Sequence, residues 1–270
     1  MNCACGHHHP GNKTGCASDE GSAIALHQPM IALSGRLICA DAAQMMTALS
    51  LLPDHMELSR AEAGCLRFDL WQDEDPLVWN LTELVADAQA FAAHQSRTTD
   101  SVWGRDSAGM ARDFQRREVM PAIRPERPAD QTAIDALHQI AFGGPDEATL
   151  VRALRDQGDL TLSLLAVAAG TVLGHVALSP LDADRPALAL GPVAVLPKAQ
   201  GMGIGAALVR AALGACGDRS LVVLGDPAFY RRFGFAPADL DSPYAGPHLQ
   251  MLGDLPSGSR IRHASAFAAI

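Results

Sequence analysis

The residues with the clearest chemical meaning are Gln200-Gly201-Met202-Gly203-Ile204-Gly205. They follow the apolar run Ala187 to Leu196 and lead straight into Ala206-Ala207-Leu208-Val209-Arg210-Ala211-Ala212-Leu213. The pattern predicts a strand, a glycine-rich turn and a helix. Such a turn presents several backbone N–H groups at a helix N-terminus, and together with the helix dipole they attract an anion. Glycine lets the backbone approach a phosphate with no Cβ in between. The spacing Gln-x-x-Gly-x-Gly is neither the Gly-x-Gly-x-x-Gly of dinucleotide sites nor a P-loop, since no Gly-Lys-Ser/Thr follows.

The flanking elements must hold that turn. Gly191-Pro192 interrupts the preceding strand, and Pro192 cannot donate to a ladder, so a bulge or a splayed edge is expected there. A second apolar run, Ser220 to Leu224, ends in Gly225-Asp226-Pro227. That reads as a helix start, with Asp226 as N-cap and Pro227 at the first helical position. The short helix carries Phe229 to Phe233 and stops at Gly234.

The Val193-Ala194-Val195 strand, the Gln-x-x-Gly-x-Gly loop and Tyr-x-x-x-Gly-Phe from Tyr230 to Phe235 together resemble the GNAT N-acetyltransferases. The wording from Leu190 to Phe235 looks like the YhbS-like branch of that family, and the resemblance covers about residues 119–270. It implies a mixed-sheet α/β domain that uses acetyl-CoA as cosubstrate. The pyrophosphate would sit on the loop formed by Gln200, Gly201, Met202, Gly203, Ile204 and Gly205. The pantetheine arm would lie along Val193 and Val195, with Asp226 closing the cofactor-binding set. Tyr230 matches the family's general acid. A phenol near pKa ~10 suits a departing thiolate near ~8.5, because the proton moves as the charge develops. The position of Met202 is often basic in the family. Met adds no charge-assisted phosphate contact, which implies either weaker cofactor binding or compensation by Lys198.

The acceptor amine must lose a proton before it attacks. A carboxylate working through water is a frequent family solution, and Glu147 in the segment Phe142 to Glu147 is the candidate. The bland alternative is that Asp146 and Glu147 occupy a helix first turn, where the dipole favours acids. The loop Pro243-Tyr244-Ala245-Gly246-Pro247-His248 would supply the other wall, with Tyr244 and His248 as candidate contacts.

The N-terminal half has a separate pattern. Ile31 to Ala40 is strand-like. Asp41 to about Glu62 is helical, with Pro53 expected to kink or break it. Cys65 to Gln72 alternates as a strand, and Leu77 to Leu84 is a second one. Asp87 to Trp103 reads as one helix, and Ala111 to Val119 as a last strand. The order β-α-β-β-α-β is ferredoxin-like. Glu62-x-Gly64-Cys65 before the strand, Glu83 after the next strand and His94 on the helix resemble the antibiotic biosynthesis monooxygenase (ABM) family. That likeness implies a dimeric α+β barrel, hence a homodimer, with His94 as the group for any oxygenase chemistry. Leu84 and Val85 stand where the family often has an aromatic residue, which argues for a binding or dimerisation role.

The full sequence has 270 residues, 48% of them hydrophobic, a net charge of −9 and a pI near 5.5. One large or two medium domains are expected. The acidic balance gives no support to nucleic-acid binding. No apolar window approaches the roughly 18 residues of a membrane span, and no basic-then-apolar leader opens the chain. Six irregularly spaced cysteines do not form a disulfide framework, so a cytoplasmic protein with reduced thiols is expected. Cys3, Cys5 and Cys16 offer soft thiolates and His7, His8 and His9 offer imidazoles, ligands that Zn²⁺ and Cu⁺ select, but the spacing is not that of a zinc finger and no defined metal site is assigned.

The expectation is an α+β chain in three parts: a disordered Cys/His-rich tail over 1–29, an ABM-like ferredoxin-type domain over 30–118 and a GNAT domain over 119–270. The expected reaction is acetyl transfer from acetyl-CoA to an amine of a small molecule or protein. A cofactor-independent monooxygenase and a metal- or ligand-binding protein with a degenerate transferase site are the alternatives.

Overall fold

The computed structural model describes residues 21–269. The cysteine- and histidine-rich stretch at Cys3 to Cys16 lies outside the described residues. β1 (Ser22–Ala23) pairs antiparallel with a strand formed a hundred residues later, and Ile24 beside it is buried. The sequence assigns these residues to the tail because a two-residue strand has no alternation to read. Its distant partner supplies the order.

β2 (Met30–Ile38) leads to α1 (Ala42–Ala61), whose N-cap Asp41 accepts a hydrogen bond from the Gln44 amide at 2.9 Å. Pro53 neither ends nor divides this helix. Pro53 and Leu49 are both exposed, so the Leu49 carbonyl that loses its partner lies on the wet side. β3 (Cys65–Gln72) and β4 (Val78–Val85) form a hairpin. α2 (Ala88–Asp100) then stops short of Trp103. The Ser101 side chain accepts from the Gly104 amide at 3.0 Å and starts a separate turn, α3 (Val102–Asp106). β5 (Ala111–Val119) closes an antiparallel sheet of order β3-β4-β2-β5.

Alternation gives this sheet two faces. Leu33, Leu37, Phe68 and Leu81 pack with the helices, while Met30, Ala32, Leu66 and Leu84 belong to the core of the second half.

β6 (Ala122–Pro125) follows at once, then α4 (Gln131–Phe142) and α5 (Asp146–Asp156). β7 (Leu162–Ala168), β8 (Thr171–Asp182) and β9 (Ala187–Val195) run as an antiparallel meander. α6 (Ile204–Ala215) crosses over to β10 (Ser220–Leu224), which lies parallel to β9. After α7 (Pro227–Tyr230), β11 (Ala236–Pro237) and β12 (Leu249–Leu252) finish one edge, and β13 (Arg262–His263) pairs with β8. The mixed sheet has the order β1-β6-β7-β8-β9-β10-β12-β11. One core joins Met30 and Leu84 of the first sheet to Leu164, Ile204, Leu208 and Tyr230 of the second. No helix among the described residues is long and apolar enough to cross a membrane.

Candidate active site

The site begins where two strands part. β10 pairs with β9 through Ser220↔Ala187, Leu221↔Leu188 and Val222↔Ala189, and the register ends there. β9 continues to Val195. On its other side it pairs with β8, where the register shifts and Gly191-Pro192 occupies the space opposite Ala177. The bulge bends β9 away from β10, as the missing Pro192 donor suggests. A cleft of about 870 Å³ opens between the strands, and Val193 and Val195 line it.

The glycine turn forms one end. Gly201 (φ 78°) and Gly203 (φ 87°) are left-handed, and Gly203 is the N-cap of α6 with no side chain capping the first amides. A Cβ at either position would meet nothing within 4 Å, so the space before these amides is open. Gln200, Gly201, Gly203, Ile204 and Gly205 line the cleft. Met202 instead packs against the core. Gln200 steadies the turn by donating from Nε2 to the Val195 carbonyl at 3.3 Å. Lys198, read from sequence as a substitute phosphate contact, points elsewhere. Its ammonium donates to the backbone carbonyls of Arg60 and Glu62 at the end of α1, the latter at 3.0 Å.

Across the cleft, α7 presents Tyr230. Asp226 caps this turn by accepting from the Ala228 amide at 2.9 Å, with Pro227 at the first helical position. Asp226 also lines the cleft, but this hydrogen bond gives it a structural use. Tyr230 is buried against Phe229 and Phe235, and burial pushes its phenol up to about 12. The ring therefore stays protonated through the whole neutral range.

The far end combines carboxylates and aromatic rings. Asp146 and Glu147 occupy the first turn of α5, and both line the cleft. Phe142, Tyr244, His263 and Phe267 face the same space, whereas His248 is exposed and is not among the lining residues. His263 stacks edge-on to Tyr244 at 5.1 Å between centroids and lies 4.8 Å from Phe267. Its Nδ1 is buried without a hydrogen-bond partner, and burial lowers its pKa. Sequence reasoning missed His263 and Phe267. They arrive through the two-residue pairing of β13 with β8.

The N-terminal half has its own polar cluster. His94 is 4% exposed, with Nδ1 2.9 Å from Glu62 Oε2 and Nε2 3.7 Å from Glu83 Oε1. Burial raises the Glu62 pKa, but hydrogen bonds from Arg97 and His94 outweigh it and leave the carboxyl below its ordinary value. Burial raises Glu83, which is 2% exposed. A histidine so enclosed is not an exposed helix residue. No group of three or more potential metal ligands is found among the described residues.

This architecture, a mixed sheet splayed beside a glycine turn, is that of a known transferase class. A model of the "Acetyltransferase (GNAT) family" matches residues 131–235, and one of "Antibiotic biosynthesis monooxygenase" matches 38–99. The chain is 43% identical over 120 residues to "Uncharacterized N-acetyltransferase YhbS" of Escherichia coli K12, covering 42% of this chain and 72% of that one. It is 35% identical over 130 residues to "Uncharacterized N-acetyltransferase YjhQ" of the same organism, covering 44% and 72%. Among solved structures, E. coli YhbS in complex with CoA superposes with a TM-score of 0.51 at 36% identity, covering 55% of this chain and 92% of that one. The chain belongs to the GNAT acetyltransferase family and carries an ABM domain ahead of it.

Proposed function

We propose that the chain transfers the acetyl group of acetyl-CoA to an amine of a small molecule or protein by direct attack. The observation that carries this reading is the convergence of three features on one cleft: the unpaired side of β9, the open glycine turn and the phenol of Tyr230. The pyrophosphate rests on the amides of Gly201 to Gly205, and the pantetheine arm lies along Val193 and Val195. The acceptor ammonium gives a proton to Glu147 through water, and its nitrogen attacks the thioester carbon. The Val193 amide steadies the oxyanion. The C–S bond then breaks, Tyr230 protonates the sulfur, and the second amine proton restores Tyr230. The products are the acetamide and free CoA. Tyr244, Phe267 and Phe142 beside Asp146 and Glu147 favour a cationic amine, held by ring faces and carboxylates.

The domains assigned to this reading run over 30–118 and 119–270. The strand order β3-β4-β2-β5, with both helices on one face, supports a ferredoxin-like description of the first. Its open half-face carries Trp71, 47% exposed, and a second copy of the chain is assigned to it as in an ABM-type dimer. Cys39, Cys65 and Cys216 are free thiols, which suits a cytoplasmic setting.

Calorimetry with acetyl-CoA on the full chain and on Gly203→Glu tests the reading. Micromolar binding lost in the variant supports it. Equal binding by both proteins places the cofactor elsewhere.

A further inference from the structure

The two halves meet at a contact that touches the glycine turn. Lys198 is two residues from Gln200, in the turn of Pro197–Ala199 between β9 and the loop. That turn is locally closed: the Ala199 amide donates to Leu196 at 2.7 Å and the Gln200 amide to Pro197 at 3.2 Å. Ala199 is buried in the core. The Lys198 ammonium leaves this turn and reaches the first sheet's helix, donating to the carbonyls of Arg60 and Glu62.

Those acceptors are suited to a cation. They belong to the last turn and the C-cap of a 20-residue helix, where carbonyls lack intrahelical partners and the dipole is negative. They are also fixed in place. The Glu62 side chain is gripped by Arg97 and by His94 of α2, the Glu62 amide donates to Ser59 at 3.2 Å, and the Cys65 amide donates to the Glu62 carbonyl at 3.1 Å. A chain of contacts thus runs from α2 through Glu62 and Lys198 to the turn that presents the phosphate-binding amides.

We propose that the N-terminal half is a positioning element of the acetyl-CoA site, with Lys198 as the residue through which it acts. This rests on the assignment of the pyrophosphate to Gly201–Gly205. Lys198 fixes the first residues of the loop against α1, so the amides of Gly201 and Gly203 are ordered before the cofactor arrives. The residue contributes by preorganisation and not by touching phosphate.

The test uses the full chain. Lys198→Met should weaken acetyl-CoA binding at least about fivefold, at the lower end of couplings between sites, and raise its KM with kcat unchanged. Lys198→Arg, which can donate to the same carbonyls, should restore affinity. Glu62→Ala, whose side chain is not among those lining the cleft, should weaken binding by a similar factor and add nothing in the Lys198→Met background. Additive losses would mean that Lys198 meets the phosphate directly and would overturn the proposal, as would unchanged affinity in Lys198→Met. Hydrogen exchange of the free protein gives an arm independent of the cofactor. Faster exchange at residues 201–205 in Lys198→Met supports the proposal even if Glu62→Ala does not fold. Unaltered exchange in that variant rejects it. Failure of the wild-type chain to bind acetyl-CoA, with the exchange effect present, would count against the cofactor assignment alone.

Discussion

A Cβ placed on Gly225 would stand 2.3 Å from Cε2 of Tyr230. The glycine at the end of β10 therefore defines the space that the phenol occupies. Gly225→Ala should push the ring out of its seat. The expected result is a fall in kcat of tenfold or more with acetyl-CoA affinity little changed. Tyr230→Phe should lower kcat by roughly 10²-fold, the lower range for a proton donor. Steady-state kinetics with acetyl-CoA and a reactive amine would measure both, and an unchanged kcat in Tyr230→Phe would remove that residue from the acid role.

Glu147→Gln should lower kcat/KM most at neutral pH. There the acceptor is an ammonium and needs a base. At higher pH the free amine is already present, and the deficit should shrink. A pH–rate comparison of the two proteins decides the matter: a deficit independent of pH would leave Glu147 as a helix-terminal acid with no part in proton removal.

Three buried histidines predict how stability follows pH. His138 is pushed down to about 4 by burial, and His55 to about 4 by burial and then by Arg97. His175, whose Nδ1 is 2.8 Å from His138 Nε2, is held well below its ordinary value by burial. Unfolded imidazoles take up protons near pH 6.5, whereas His55 and His138 resist until about 4 and His175 resists in the same direction. Their contribution is complete above about 6.5 and is lost as the pH falls towards 4. Tm should be level from pH 8 to 7 and drop by roughly 5 °C or more between 6.5 and 4.5. His138→Gln should flatten that slope. Glu62 and Asp130, whose pKa values are lowered, act at more acid pH. A wild-type Tm that stays level down to pH 4.5 would contradict this account.

Sedimentation should find a dimer in the wild-type chain and a shift towards monomer in Trp71→Lys. Met30, Ala32, Leu66 and Leu84 already meet the transferase core, so on this face of the sheet the part around the exposed Trp71 is the part left for a partner among the described residues. A monomeric wild-type protein would end the dimer assignment.

The parts legible in the sequence are those governed by neighbours along the chain. The Asp226-Pro227 cap, the strand Ser220–Leu224 and the helix after Gly203 follow from local preferences, and each forms where the residues suggest. Pro53 misleads because its effect depends on which side of the helix meets water. The 87–103 segment misleads because Ser101 can cap a new helix as readily as sit within one. His263, Phe267 and the Lys198 contact depend on pairings between distant segments, which no local pattern encodes.

The pairing of Ser22 with Ile123 means that the larger sheet receives a strand from each side of the smaller one. The polypeptide leaves one layer, builds another and comes back. The boundary near residue 118 is therefore a seam in sequence but not in space. Excising the transferase half at that seam would remove β1 from the outer side of β6, leaving β7 as its one neighbour, and bare the backbone donors and acceptors of an edge on which another chain can pair. A fragment that keeps Ser22–Ala23 should therefore resist aggregation better than one that starts after residue 118.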